Sequence, residues 1–335
     1  MDPLLLVSSS PHIRSDENTR AIMSDVIVAL CFPLVISVYY FGVKALYLTL
    51  LSVACCVAFE FLYRKMLRKP GTVGDFSAVI TGMLLAYTLP VAVPYWSVAA
   101  GAFFAIVIVK QLYGGLGKNF MNPALAGRAF LSLSFGLGIF QWTKPTFLDS
   151  DFSFVNMPDA VASPTPLGFL KQGVLPEGME LQDLLFGEIA GCLGETSAIA
   201  LLLGGLYLVV RKVITPRIPL CFIGTVAVLS FLFPPGGFTG VEYMLYNILS
   251  GGLMLGAIFM ATDYTTSPVT NLGQVFFAVG CGLLTVLIRR FGGMPEGVCF
   301  AILLMNTAVW FLDKIGRPRR FGAKSLWPFG GEAKK

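Results

Sequence analysis

Ten apolar stretches divide this sequence, and most of them are long enough to enter a lipid bilayer as a helix. Crossing the hydrocarbon core takes about 20 apolar residues, because a helix rises about 1.5 Å per residue. Charged residues make up only 13% of the chain, about half their usual share in soluble domains. We therefore predict an all-α polytopic membrane protein with about ten transmembrane helices. The stretches lie at about 25–43, 45–63, 75–90, 96–113, 121–140, 196–211, 217–234, 243–262, 273–290 and 296–313.

Lysine and arginine are distributed unevenly between the two ends of the predicted helices. With the N-terminus inside, the inside segments hold 18 of these residues and the outside segments hold 5. Positive charge collects in cytoplasmic connections, so both termini are predicted to be cytoplasmic, and no signal peptide is recognised at the start. Five segments follow: a cytoplasmic N-terminal segment 1–24, a first transmembrane repeat 25–140, an extracytoplasmic loop 141–195, a second transmembrane repeat 196–315 and a cytoplasmic basic tail 316–335.

The two halves of the chain share short sequence patterns. Tyr113-Gly114-Gly115-Leu116 follows the fourth stretch, and Phe291-Gly292-Gly293-Met294 follows the ninth. Five helices per repeat is an odd number, so the second copy must be inverted relative to the first. Inverted repeats place binding sites near the membrane midplane, where the repeats meet. Chance recurrence of an aromatic residue before two glycines is the alternative explanation.

The segment 114–130 is the most unusual one, because it places polar residues and glycines between two apolar stretches. It contains Asn119 and Asn122, which are three residues apart and share one side of a helix start. Polar groups at membrane depth are costly unless they serve a purpose. The segment is therefore a candidate cofactor, ion or substrate site. The alternative is a cytoplasmic turn followed by a helix from which Arg128 reaches the interface.

A second candidate site lies at the end of the eighth stretch. Thr262, Asp263 and Thr265 cluster there with further hydroxyl residues, and such oxygen atoms could ligate a hard monovalent cation. The alternative is an ordinary cap of the next segment. The other ionisable residues in or near the stretches are more easily explained as interfacial anchors; they are Asp25, Glu60, Asp75, Arg128 and Glu242.

The loop 141–195 is the only long polar region. Its centre, Pro158 to Leu167, is rich in proline and reads as a stiff turn that displays the hydroxyl of Thr165. A plain surface turn is the alternative. Elsewhere, the seven cysteines lie mostly in apolar stretches without a CxxC pair, and His12 is the only histidine. We therefore expect no metal site. No GxGxxG unit follows a strand, so we expect no nicotinamide site in this chain. We also expect no catalytic residue of its own and no nucleic-acid partner.

Several motifs resemble the RnfD/NqrB family of membrane subunits of ion-translocating oxidoreductases. They are Val7–Ser15, Thr81–Ala86, Gly114–Phe130, Phe259–Thr270 and Phe291–Asn306. The resemblance implies a urea-channel-like fold and a prokaryotic cytoplasmic (inner) membrane. It also implies a role in the Rnf complex, with the A, B, C, E and G subunits of that complex as partners. The Rnf complex transfers electrons between ferredoxin and NAD+ while moving Na+ or H+.

The same resemblance implies two flavins. FMN would be joined through its phosphate to Thr165 by a separate flavin transferase, in a motif that begins at Asp159 and includes Ser163. Here Ala162-Ser163-Pro164 departs from the usual residues before the acceptor threonine. Non-covalent riboflavin would be held near Asn119 and Asn122. Further candidates for cofactor binding are Gly114, Gly117 and Arg128. A flavin-free channel or solute transporter on the same fold, and a scaffold subunit that has lost its flavin, are the competing interpretations.

Overall fold

The computed structural model describes residues 18–136, 142, 165–174, 181–187, 189–293 and 296–315, and this part of the chain forms helices and turns without a β-strand. The first half begins with two long helices, and Pro33 lies inside the first of them. Its helices are α1 (Thr19–Phe41), α2 (Val43–Met66), α3 (Ser77–Tyr87), α4 (Tyr95–Phe103), which continues as a π-helical segment (Phe104–Gln111), and α5 (Pro123–Phe135).

Two short helices follow, and then the second half. Short 3₁₀ turns at Val73–Asp75 and Leu193–Glu195 precede α3 and α8. The remaining helices are α6 (Pro166–Gln172), α7 (Leu181–Phe186), α8 (Ala198–Val210), α9 (Arg217–Leu232), α10 (Gly240–Leu249), α11 (Leu253–Leu255), which continues as a π-helical segment (Gly256–Met260), α12 (Asn271–Phe291) and α13 (Val298–Ile315).

Helix length and hydropathy confirm the prediction of a multi-pass membrane protein. Among the described residues, α1, α2, α12 and α13 are each long and apolar enough to cross a bilayer. The pair Gly240–Leu249 and Leu253–Met260 also passes this test, although it bends by 64° at its break. Four apolar helices are shorter, and α3 among them has only 11 residues, as the short third stretch indicated. Each predicted stretch coincides with a helical element, but a count of ten crossings stays a prediction.

Large apolar side chains cover much of the outer surface of these helices. Five examples among them are between 60% and 70% exposed, a degree of apolar exposure that lipid tolerates and water disfavours. The core between the helices is built mainly from leucine, alanine, isoleucine and valine. The exposed five are Val35, Leu133, Leu206, Val210 and Leu220.

Helix packing follows the same plan in both halves. In each half the second helix packs against the fourth, which pairs α2 with α4 and α9 with α12. The two first helices, α1 and α8, contact each other, and so do the two fifth helices, α5 and α13. Such contacts between equivalent helices are expected of repeats related by a twofold axis. Gly204 permits the close α1–α8 approach, because a Cβ there would lie 2.6 Å from the Ala29 carbonyl oxygen.

Candidate functional site

The larger cavity, here called the asparagine cavity, lies between the two halves of the chain. It encloses about 790 Å³ of empty space, part of it open to solvent. Both π-helical segments border it, and π-helical turns often occur at functional sites. The cavity brings together the two candidate sites of the sequence analysis, the asparagines of segment 114–130 and the cluster around Asp263. Its polar lining includes Lys110, Asn119, Asn122, Thr262, Asp263 and Thr265.

The two asparagines use their amides differently. Asn122 caps α5, because its Oδ1 accepts the backbone N–H of Ala124 at 3.0 Å, and its Nδ2 donates to the Met260 carbonyl at 3.2 Å. That second bond joins the two halves. Asn119 donates to the Met121 carbonyl at 3.3 Å, but its buried Oδ1 accepts no hydrogen bond from a described residue. Asn119 is therefore the asparagine with an acceptor still available.

Three other residues of the 114–130 candidate group do not line this cavity. Gly114 and Gly117 form a turn with φ of +117° and +87°. This backbone conformation favours glycine by itself, so no ligand is needed to explain the two glycines. Arg128 is buried and forms an ion pair with Glu296. It therefore neither reaches the membrane interface, as the alternative interpretation required, nor joins the asparagines.

A buried ion pair forms one wall of the asparagine cavity. Lys110 Nζ lies 2.7 Å from Glu60 Oε2 and donates to Ser77 Oγ at 2.6 Å. Thr72 Oγ1 donates to the other oxygen of Glu60 at 2.6 Å. The Lys110 and Glu60 side chains are 2% and 0% exposed. Lys110, counted from the sequence among the basic residues on the inside, lies in the π-helical segment Phe104–Gln111 and is buried in this ion pair.

Asp263 lies in a tight turn whose hydroxyl groups face its carboxylate. Thr265 Oγ1 and Thr266 Oγ1 donate to Asp263 Oδ2 at 3.0 and 3.1 Å. Thr262 Oγ1 instead donates to the Ile258 carbonyl at 2.6 Å. The cluster thus forms a hydrogen-bonded turn that presents Asp263 to the cavity. The cap of the next helix, α12, is Thr270 rather than Asp263.

A smaller cavity, here called the Thr165 pocket, has about 320 Å³ of empty space, part of it open to solvent. Thr165 is half-buried and precedes α6, and its Oγ1 accepts the Gly168 N–H at 3.4 Å. Asp159 and Ser163, the other candidates of this motif, lie outside the described residues. The remaining lining includes Trp142, Pro166, Glu195, Gly251 and Glu296.

The two cavities lie at opposite ends of the membrane domain. Leu208, near the end of α8, lines the asparagine cavity, whereas Glu195, just before the start of α8, lines the Thr165 pocket. The 13 residues of α8 separate them by about 20 Å. Lys110, Glu195 and Glu296 were not predicted from the sequence as site residues. For Lys110 there was a signal, since it interrupts an apolar stretch.

The geometry defines a helical, multi-pass membrane protein whose helices carry, near each end, a cavity lined by apolar and a few polar side chains. The sequence profile described as "NQR2, RnfD, RnfE family" matches residues 6–322, and the chain belongs to that family.

Three relatives cover nearly the whole chain. The D subunit of the Na+-translocating ferredoxin:NAD+ oxidoreductase complex of Acetobacterium woodii is 45% identical, with 96% of each chain covered. The D subunit of the proton-translocating ferredoxin:NAD+ oxidoreductase complex of Clostridium ljungdahlii is 42% identical, with 96% of this chain and 97% of the relative covered. The D subunit of the ion-translocating oxidoreductase complex of Stutzerimonas stutzeri is 39% identical, with 90% and 91% covered.

Proposed function

We propose that this chain is the D subunit of an ion-translocating ferredoxin:NAD+ oxidoreductase in the cytoplasmic membrane of a prokaryote. One observation carries the proposal: a chain similar to such subunits over 96% of its length has, at opposite ends of one membrane domain, cavities that combine apolar walls with a few polar side chains. The A, B, C, E and G subunits are its proposed partners. Purification of the tagged chain from native membranes should recover these subunits together with ferredoxin-dependent NAD+ reduction. Recovery of the chain alone would contradict the proposal.

The orientation follows from charge. Basic residues concentrate at the end of the helices where α1 begins and α13 ends, and such segments stay in the cytoplasm. The asparagine cavity, which Ile22 and Met23 of α1 help to line, then faces the cytoplasm. The Thr165 pocket then faces the outside, where the loop 141–195 lies.

The residues at each cavity suit a flavin. Thr165 offers a hydroxyl for a phosphoester with FMN, and Asp159 and Ser163 would belong to the motif that a flavin transferase reads. Asn119 offers a buried acceptor to which no described residue donates, and this acceptor matches an N–H or hydroxyl of riboflavin. Bound flavins would supply electron transfer. The chain itself would hold and orient them and keep water out.

Replacement of Asn119 by leucine should deplete non-covalent riboflavin and leave covalent FMN unchanged. The loss of one hydrogen-bond partner in a buried site costs about 1–3 kcal/mol, which weakens binding roughly 5- to 150-fold. Acid extraction of the purified complex followed by chromatography measures both flavins separately.

Asn271→Leu serves as the matched control, because Asn271 is exposed at the start of α12 and lies away from the cavity. Its riboflavin content should equal that of the wild type. Asn122 is unsuitable for this test, since its amide already caps α5 and contacts Met260. Normal riboflavin in Asn119→Leu would remove Asn119 from the binding site.

Asp263→Asn should lower the number of ions moved per electron more than it lowers flavin content. The substitution keeps an oxygen for the Thr265 and Thr266 hydroxyls and removes the negative charge that would attract a cation in the cavity. Redox-driven ion uptake and NAD+ reduction are measured together in liposomes that contain the complex. Glu242→Gln, an exposed capping residue of α10, is the control. If Asp263→Asn moves as many ions per electron as the wild type, Asp263 has only a structural role in its turn.

A further inference from the structure

Two carboxylates meet at the wall of the Thr165 pocket, and neither has a role in the function proposed above. Glu195 ends the 3₁₀ turn before α8, and Glu296 lies two residues before α13. Ligand atoms of these two residues and the Cys192 sulfur all lie within 4.8 Å of one another. Glu195 is 8% exposed, and the Glu296 side chain is 14% exposed. The pair is therefore largely withdrawn from water.

Three of the four carboxylate oxygens have protein partners. Glu296 Oε2 is paired with the Arg128 guanidinium, and Glu296 Oε1 accepts the Gly252 N–H at 3.0 Å. Glu195 Oε2 accepts the Cys192 N–H at 3.4 Å. Glu195 Oε1 is buried and accepts no hydrogen bond from any described residue. A buried anionic oxygen without a partner is costly, so this position calls for a positively charged ligand.

The surrounding charges restrict what that ligand can be. Arg128 already neutralises one carboxylate. Arg289 lies near the pocket, since its Nη2 is 3.2 Å from where a Cβ of Gly251 would be, and its N–H groups are directed to the Asn247 and Ser250 carbonyls. Because Arg128 cancels the charge of Glu296 and Arg289 donates to carbonyls rather than to a carboxylate, only the single charge of Glu195 is left for a ligand. One negative charge is too small to favour a divalent ion.

The donor atoms also argue against a soft metal. Cys192 Sγ donates to the Thr88 carbonyl at 3.0 Å, so the sulfur is a thiol rather than the thiolate that such metals require. The ligands that remain are carboxylate oxygens, which suit a hard cation or a shared proton.

We propose that Glu195 and Glu296 together hold one exchangeable monovalent cation, either Na+ or a proton, at the Thr165 end of the membrane domain. The role of this cation site in transport rests on the proposed function, in which it would be the binding site nearest the outside. The occupancy itself depends only on the geometry of the two carboxylates. Relatives described as Na+-translocating and as proton-translocating are 45% and 42% identical to this chain, so experiment has to separate the two ions.

The test compares the purified wild-type complex with a complex that carries Glu195→Gln. Binding of radioactive Na+ is measured at fixed pH, and infrared difference spectra are recorded across a pH titration. If the ion is Na+, the variant binds one equivalent less. If it is a proton, Na+ binding is equal, but the variant lacks a pH-dependent band of a protonated carboxyl. Equal Na+ binding together with identical spectra would overturn the proposal.

A second variant tests the geometry without a change of charge. In Gly252→Ala the new Cβ would collide with Glu296 Oε1 and lie 3.3 Å from Glu195 Oε1, so the same signal should be lost. Glu242→Gln should keep it, because that carboxylate is exposed and lies on α10. Covalent flavin is measured in each sample. Absence of covalent flavin from the wild type would contradict the proposed function alone. The cation site is tested separately, by the Na+-binding and infrared measurements.

Discussion

Replacement of Thr165 by alanine is expected to remove all covalently bound flavin from this chain. Alanine has no hydroxyl, so a phosphoester cannot form at this position. The fold should persist, because the hydrogen bond that Thr165 accepts from the Gly168 N–H is long, at 3.4 Å, and the loss of a helix cap costs about 1 kcal/mol. A denaturing gel viewed under ultraviolet light measures the effect directly, since only covalent flavin stays with the chain.

Two variants serve as controls for this result. Thr165→Ser keeps a hydroxyl and should keep some fluorescence. Thr270→Ala makes the same chemical change at another helix cap, where Thr270 accepts the Gly273 N–H at 3.2 Å, and should leave the band unchanged. A fluorescent band from Thr165→Ala would show that the flavin is attached elsewhere. A wild-type chain without any band would favour the channel or scaffold interpretation.

The sequence predicted the helices well because apolar length is a local property. A stretch such as 25–43 needs no partner to be recognised, and α1 was found at Thr19–Phe41. The short third stretch was equally visible, since its glycine and Pro90 interrupt it. Helix existence therefore followed from composition, whereas the number of true crossings depends on tilt and bends such as the one of 64° beside α11.

The composition of the cavities was harder to predict because it depends on how the halves pack. Asn122 and Met260 are 138 positions apart, and their hydrogen bond exists only because two repeats meet there. In the sequence, Glu195 is one more acid of a polar loop, and Lys110 lies near the end of an apolar stretch and was counted among the inside basic residues. Both are buried, and only tertiary packing decides whether a charge at the end of a stretch meets water or a partner.

Lys110→Met should be the most destabilising of the substitutions considered. It removes the cation from a fully buried carboxylate, Glu60, which lies 2.7 Å away in the wild type. A buried charge that loses its partner typically costs about 3–5 kcal/mol, whereas the Thr72 hydroxyl that remains on Glu60 compensates only in part. The temperature at which the detergent-solubilised complex unfolds should fall clearly, and the yield of assembled complex should fall with it.

A double variant separates loss of the ion pair from loss of packing. Glu60→Gln with Lys110→Met leaves no unpaired charge, so it should recover most of the stability that the single variant loses. Lys118→Met removes an exposed lysine eight positions away and should change little. If the double variant is no more stable than Lys110→Met, the damage comes from packing. Because Lys110 also lines the asparagine cavity, riboflavin content in the double variant then reports whether the ion pair serves the cavity as well as the fold.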